Sequence, residues 1–238
     1  VLRLHLKGID PDDAFSSIPY EKGARLVAAL EREVGEDRFH RFLRDYMDTF
    51  RFTSITTEQW CAFVEAKLPG ALAAVGADEY LHQPGMPLKA PAFRSAQLDQ
   101  LSDLAGRWPQ GARPSDVQMA AWKPTELMVY LQKLPRQLSQ EDCAWLDGHL
   151  HLTGQGNYEI LVEWLTLAAA ADYEPAFARI REVLLKVGRM KYLRPLYGAL
   201  GHHARTRALG REIFAAASSG YHGLSRRVVQ SVLEKYAD

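Results

Sequence analysis

The pattern of apolar positions along the chain predicts a mostly helical protein. In the first third, three stripes recur at steps of three and four residues, as expected for helices that each bury one face. Ser17 and Pro19 mark the start of the first helix, Gly35 marks its end, and Thr56 with Gln59 fits a capping box that begins the third. The three stripes are Leu26, Val27, Leu30 and Val34, then Phe39, Phe42, Leu43, Tyr46, Met47 and Phe50, then Trp60, Phe63, Val64 and Leu68.

The opening segment follows a different pattern. Residues 1–9, VLRLHLKGI, alternate apolar and polar positions, which predicts a β-strand. A lone strand is not stable without partners, and no second clear strand follows. This favours a chain whose neighbouring strands belong to a longer protein, although trimming explains the missing first methionine equally well.

A proline-rich stretch divides the chain. Residues 83–93, QPGMPLKAPAF, hold three prolines and a glycine, which excludes a helix or a central strand. We therefore predict a linker near residue 90 and two domains, 1–88 and 89–238. Beyond the linker, short apolar segments broken by Pro, Gly or Asn predict a succession of short helices, one of them opened by a capping box at Ser139 and Asp142. Stacked pairs of this kind are typical of an armadillo- or HEAT-like superhelix, so the predicted fold class is all-α.

Composition narrows the class of protein. The chain has 238 residues, 47% of them apolar and 24% charged, which is ordinary for a soluble globular protein. A formal net charge of zero argues against a broad nucleic-acid surface. No apolar run approaches the roughly 18 residues of a membrane span, and no signal peptide is evident. Cys61 and Cys143 lie in apolar helical patterns, which indicates reduced core residues and a cytoplasmic location.

Common catalytic and metal motifs are missing from the sequence. It contains no H-E-x-x-H, no Cys-x-x-Cys, no phosphate-binding glycine loop and no G-x-S-x-G. The pairs His149 and His151, and His202 and His203, lie at predicted helix ends with no third ligand nearby, so we expect surface roles for them. No residue of this chain is predicted to bind a metal ion.

Three local patterns are candidates for a functional role. The acidic stretch at residues 10–13 is most simply a solvated turn before a helix. Tyr20, in a first helical turn, either packs structurally or presents its phenol to a substrate. In GRMKYLRPL, the cations Arg189, Lys191 and Arg194 either complement the C-terminal dipole of a helix or grip a carboxylate.

Four stretches, in this order, carry a family resemblance: DPDDAFSSIPYEKG, ITTEQW, PGMP and GRMKYLRPL. From Val1 to about Tyr236 the chain resembles the zinc aminopeptidases related to leukotriene A4 hydrolase. The resemblance implies that residues 1–88 are the end of a thermolysin-like catalytic domain and that residues 89–238 are the helical C-terminal domain. In that family the zinc-binding H-E-x-x-H, its distal glutamate ligand and the G-x-M-E-N segment lie upstream. Zinc would thus belong to the intact enzyme.

The resemblance also implies roles for individual residues. Tyr20 matches a tyrosine whose hydroxyl faces the scissile carbonyl across from the zinc. Arg189 and Lys191 match a basic pair that binds the terminal carboxylate of short peptides, whereas Arg194 is expected to be structural.

Two further positions concern the second activity known in the family, epoxide opening in a lipid substrate. Asp12 aligns with an aspartate that helps direct water in that reaction. Phe15 replaces a tyrosine of the lipid pocket, and the loss of its hydroxyl argues against epoxide hydrolysis. Both are counted among the expected substrate-binding residues.

The sequence thus predicts the C-terminal part of a cytoplasmic zinc metallo-aminopeptidase acting on short peptides. Its partner would be the upstream part of the same enzyme, with no nucleic acid and no membrane. The isolated chain would be inactive. Two alternatives stay open: a non-catalytic α-helical protein-interaction module, and an inert structural fragment.

Overall fold

The computed structural model describes residues 1–9, 14 and 16–236, and these form α-helices, short 3-10 turns and loops with no strand. The all-α prediction is therefore confirmed for this part of the chain. Two compact units follow each other, Val1–Arg94 and a second unit from Ser95 onward. The first contains α1 (Ile18–Val34), α2 (Glu36–Phe50), α3 (Thr57–Lys67), α4 (Ala71–Ala74) and α5 (Ala77–His82). The second contains α6 (Ala96–Gly106), α7 (Asp116–Ala121), α8 (Pro124–Lys133), α9 (Gln140–Leu150), α10 (Tyr158–Ala170), α11 (Phe177–Lys186), α12 (Met190–Leu200), α13 (Ala204–Ala217) and α14 (Gly223–Leu233).

The first unit has two small cores, which contact α1 at successive turns of one face. Leu30 packs with apolar residues of α2 and α3, among them Phe42 and Val64. Leu26, one turn earlier, packs with Tyr80 and Leu81 of α5. Because α1 packs against both cores, its position depends on helices throughout the first unit.

The opening segment is not a strand, so that prediction was wrong. The amides of Leu2 and Arg3 donate to the carbonyls of Tyr80 and Leu81, at 3.2 and 3.0 Å. These carbonyls belong to the last turn of α5, where a helix supplies no N–H donors for its own carbonyls. The alternating pattern correctly places Leu2 against a core. It cannot reveal that the backbone partner is a helix end rather than another strand.

The proline-rich stretch contains neither helix nor strand, as predicted. It is nevertheless attached to α1: the Arg25 guanidinium donates to the carbonyl of Pro91 and lies 5.1 Å from the ring centroid of Phe93. Arg32 donates to the carbonyl of Ala92 at 3.4 Å. The stretch therefore runs along the first unit, and the division between the compact units falls at its end.

The second unit is a double layer of helices. One layer is a row in which α6, α8, α10, α12 and α14 pack each against the next, and α11 packs against α13 in the other layer. The middle of the row is buried on nearly all sides, since Trp164, Leu165 and Ala168 of α10 are inaccessible to solvent. The capping box at Ser139 and Asp142 is present as predicted. Such stacking agrees with the superhelical fold class predicted from the sequence.

The two cysteines are free thiols. Cys143 is fully buried in the core of the second unit, and burial raises the pKa of its thiol to about 12. Cys61 is half-buried, and burial raises the pKa of its thiol as well. Both are therefore protonated near neutral pH and poor nucleophiles.

Candidate functional site

Tyr20 lies in the first turn of α1, on a backbone that is locally well fixed. The helix begins at Ile18 with Ser17 as its N-cap and with Pro19 in the first turn, as the sequence predicts. The amide of Tyr20 donates to the carbonyl of Ser17 at 3.1 Å. The capping hydroxyl comes from Ser16, which accepts from the amide of Ile18 at 3.4 Å. Tyr20 is 65% exposed.

Lys22, two residues further on, is buried and was missed by sequence reasoning. Only 3% of it is exposed. Its ammonium donates to the carbonyls of Glu79 at 3.0 Å and Gln83 at 2.6 Å, at the end of α5. Burial lowers the pKa of Lys22, although the nearby Glu79 opposes this. Lysines are rarely buried unless paired, so we conclude that this contact fixes the first turn of α1, which carries Tyr20, against α5.

Replacing Lys22 by methionine is expected to loosen this part of the first unit. The variant keeps most of the side-chain volume but removes a charged donor from two carbonyls. The local free energy of unfolding should fall by about 1–3 kcal/mol. Hydrogen exchange measured on peptides covering α1 and α5 would report the change, with the exposed Lys7→Met as the matched control. Exchange as slow as in the unchanged protein would show that the two hydrogen bonds contribute nothing measurable.

The basic pair of the second unit lies at a helix start, not at a helix end. Arg189 is the N-cap of α12 and Lys191 lies in its first turn. The preceding helix ends at Lys186. The interpretation of these cations as partners of a C-terminal dipole is therefore wrong. Positive charge at the N-terminus of a helix is unfavourable, and the pair is expected to need a negative partner.

That partner is Glu159, which lies in the first turn of α10. Its Oε2 lies 2.5 Å from Nζ of Lys191, and its Oε1 lies 3.8 Å from Nη1 of Arg189. The Tyr192 hydroxyl donates to Oε1 at 2.8 Å. Hydrogen bonds from Lys191 and then from Tyr192 hold the pKa of Glu159 below its usual value. Burial, followed by the bond to Glu159, raises the pKa of Tyr192.

The pair and its partner are open to solvent. The side chains of Arg189 and Lys191 are 62% and 58% exposed, and that of Glu159 is 36% exposed. Beside them lies a cavity of about 310 Å³ between α8, α10 and α12. Its lining mixes polar and apolar side chains, including Glu159, Lys191, Tyr192, Gln132, Thr166 and Met128. The arrangement can bind an anionic group at the surface of the helical row.

The other predicted site residues are not described. Asp12 and Phe15 lie outside the described residues, so their roles stay predictions. Among the residues that the structure describes, no group of three or more His, Cys, Asp or Glu side chains could hold a metal ion. The chain's described residues therefore do not fit a zinc site.

Comparison with known proteins places the chain in a family. The family model described as "Peptidase family M1 domain" matches residues 4–78, and that described as "Leukotriene A4 hydrolase, C-terminal" matches residues 122–233. The two matches lie in different compact units and together take up most of the chain. The chain belongs to the M1 peptidases related to leukotriene A4 hydrolase. The sequence-based resemblance is thereby confirmed.

Relatives of this M1 peptidase chain include two fungal proteins named leucine aminopeptidase 2. The protein from Yarrowia lipolytica is 31% identical over 245 residues, which cover 95% of this chain and 37% of the relative. The protein from Emericella nidulans is 32% identical over 244 residues, which cover 96% of this chain and 39% of the relative. The chain thus spans less than two fifths of the length of these relatives.

Solved structures agree on the fold of this M1 peptidase chain. Native leukotriene A4 hydrolase from Saccharomyces cerevisiae matches with a TM-score of 0.74 at 25% identity, covering 95% of this chain and 40% of that one. Yeast leukotriene A4 hydrolase in complex with bestatin matches with a TM-score of 0.83 at 24% identity, covering 98% and 42%. No helix among the described residues combines the length and the apolar character needed to cross a membrane.

Proposed function

We propose that this chain is the C-terminal part of a zinc metallo-aminopeptidase that removes N-terminal residues from short peptides. Residues 1–88 would complete its thermolysin-like catalytic domain, and residues 89–238 would form its helical C-terminal domain. The observation that carries the proposal is the match of both family models, in this order, along one chain. The relatives named leucine aminopeptidase 2 support the same activity, since they align with nearly the whole chain.

Tyr20 is proposed to stabilise the tetrahedral intermediate. Attack on a peptide bond builds negative charge on the carbonyl oxygen, and a fixed hydrogen-bond donor aimed at that oxygen lowers the barrier. Three features support this role: the exposure of Tyr20, the proline in its turn, and the anchoring of that turn through Lys22. A zinc ion, bound by ligands outside this chain, would polarise the same carbonyl.

Arg189 and Lys191 are proposed to bind the terminal carboxylate of the substrate. Two cations face a single glutamate, so the cluster keeps a net positive charge. Hydrogen bonds between ionised groups are the strong ones, and arginine can hold a carboxylate through two parallel bonds. The role favours short peptides, whose carboxylate lies close to the bond being cleaved.

Asp12 and Phe15 are also proposed to be substrate-binding residues. Phenylalanine cannot supply the hydroxyl that the resemblance places at position 15 in the lipid-epoxide enzyme. This argues against epoxide hydrolysis and leaves the proposed peptide hydrolysis unchanged.

The partner of the chain would be the upstream part of the same cytoplasmic enzyme, which supplies the zinc ligands. To test this, the complete coding region would be expressed beside the present chain, and both assayed on an aminoacyl-4-nitroanilide. The longer enzyme should hydrolyse the substrate, lose activity to a chelator and regain it with zinc, while the present chain alone should be inactive. An upstream region without H-E-x-x-H, and without hydrolysis, would overturn the proposal.

That outcome would favour a second candidate, a non-catalytic protein-interaction module. The observation that supports it is the double layer of stacked helices in the second unit, an architecture that often binds partner proteins. It would predict a stable chain that binds a protein partner without zinc.

A further inference from the structure

We propose that Glu159 is a built-in competitor for the substrate carboxylate. In the free enzyme it is bound to Lys191 and lies near Arg189, so its negative charge opposes an incoming peptide carboxylate. Glu159 would thereby set how strongly the enzyme prefers peptides with a free terminal carboxylate. This inference rests on the proposed function, because it requires Arg189 and Lys191 to bind that carboxylate.

The geometry supports competition because a carboxylate already lies beside the basic pair. Lys191 reaches Oε2 of Glu159 at 2.5 Å, and the Tyr192 hydroxyl donates to Oε1 at 2.8 Å. The ammonium of Lys191 has two further N–H donors, so a second carboxylate that uses them would lie beside Glu159 and be repelled by its charge. Peptide binding is therefore weakened unless Glu159 moves away.

The contact is weak enough to be displaced. Lys191 and Glu159 form an exposed ion pair, and such pairs contribute little because water and salt screen them. Arg189 is bound even less firmly, since its Nη1 lies 3.8 Å from Glu159, beyond hydrogen-bond distance. Its guanidinium thus keeps donors for an incoming carboxylate while it lies 5.3 Å from the ring centroid of Tyr192.

There is room for the exchange beside the pair. The cavity between α8, α10 and α12 is lined by both Glu159 and Lys191, together with the polar side chains of Gln132 and Thr166. Its volume of about 310 Å³ exceeds that of a carboxylate group many times over. The cavity thus offers space beside the pair for the released side chain, and the Glu163 carboxylate also lines it.

The test is Glu159→Gln in the full-length enzyme, assayed on one short peptide with a free carboxylate and on the same peptide as its C-terminal amide. The variant keeps the shape of the side chain and removes its charge. We expect KM for the free peptide to fall by about two- to fivefold, the scale of one exposed charge contact. KM for the amide should not change. The matched control is Glu212→Gln, since Glu212 forms an exposed ion pair of the same kind with Arg181, at 2.8 Å.

Two outcomes would overturn the inference. A higher KM for the free peptide would mean that Glu159 holds Lys191 in place for the substrate and does not compete with it. An unchanged KM, or an equal change for both peptides, would mean that Glu159 does not affect carboxylate binding. The variant Arg189→Ala, measured on the same peptides, distinguishes a failure of this inference from a failure of the proposed function. If Arg189→Ala raises KM for the free peptide but Glu159→Gln does not lower it, only the competition is wrong. If Arg189→Ala leaves KM for the free peptide unchanged, the carboxylate site itself is wrong.

Discussion

Replacing Tyr20 by phenylalanine in the full-length enzyme is expected to lower kcat by about two to three powers of ten, with little change in KM. The substitution removes one hydroxyl and keeps the ring, so substrate binding should be nearly unaffected. The lost donor acts on the charge that develops in the transition state, where one such donor accounts for a loss of this size. An interaction made only in the transition state shows in kcat rather than in KM.

The measurement is steady-state hydrolysis of an aminoacyl-4-nitroanilide by variants of equal zinc content. Tyr46→Phe is a suitable control, because Tyr46 lies in the same unit and its ring packs with Phe42, Phe50 and Phe63. It should retain nearly full activity. A Tyr20→Phe enzyme within a few-fold of the unchanged one would mean that this phenol does not stabilise the intermediate.

Replacing Arg189 by alanine is expected to raise KM about tenfold for short peptides with a free carboxylate. A hydrogen bond between charged groups is worth about 1.5–3 kcal/mol. Because Arg189 is largely exposed, we expect a loss near the lower end of that range, which is close to tenfold in affinity. Amidated peptides and uncharged anilides should be unaffected, since they present no anion to the guanidinium.

Paired assays on free and amidated peptides would decide this second expectation. Arg194→Ala is the matched control, because Arg194 is an exposed arginine of the same helix, α12, with no assigned role in binding. Equal effects of Arg189→Ala on both kinds of peptide would contradict a carboxylate site. They would indicate that Arg189 maintains the start of α12 through its contact with Tyr192.

Features set by neighbouring residues could be predicted from the sequence. The capping box at Thr56 needs only the residue three positions on, and the structure has it. The stripe of α2 correctly placed Phe39 and Phe42 in a core, because their spacing puts them on one face. Met47, at the edge of the same stripe, is 64% exposed, since periodicity does not show how wide a face the neighbouring helices cover.

Features set by distant residues could not be predicted from the pattern. Lys22 reads as an ordinary surface lysine, because its acceptors at Glu79 and Gln83 are far along the chain. Glu159 reads as an acidic residue that suits the first turn of α10, and its partner Lys191 comes 32 residues later. The motif GRMKYLRPL identified these cations, but it did not show that they lie at the start of a helix. The local sequence pattern therefore identified the charged groups but not the distant residues that they contact.

The anchoring of Lys22 bears on which mutations the enzyme can tolerate. Its ammonium binds backbone carbonyls of Glu79 and Gln83, and every amino acid carries such a carbonyl. These hydrogen bonds therefore tolerate other side chains at position 83, whereas the charge of Glu79 also acts on the ammonium of Lys22. An inserted or deleted residue between Gly76 and Gln83 would shift both carbonyls at once. Selection should consequently preserve the length of this short helix more strictly than its sequence.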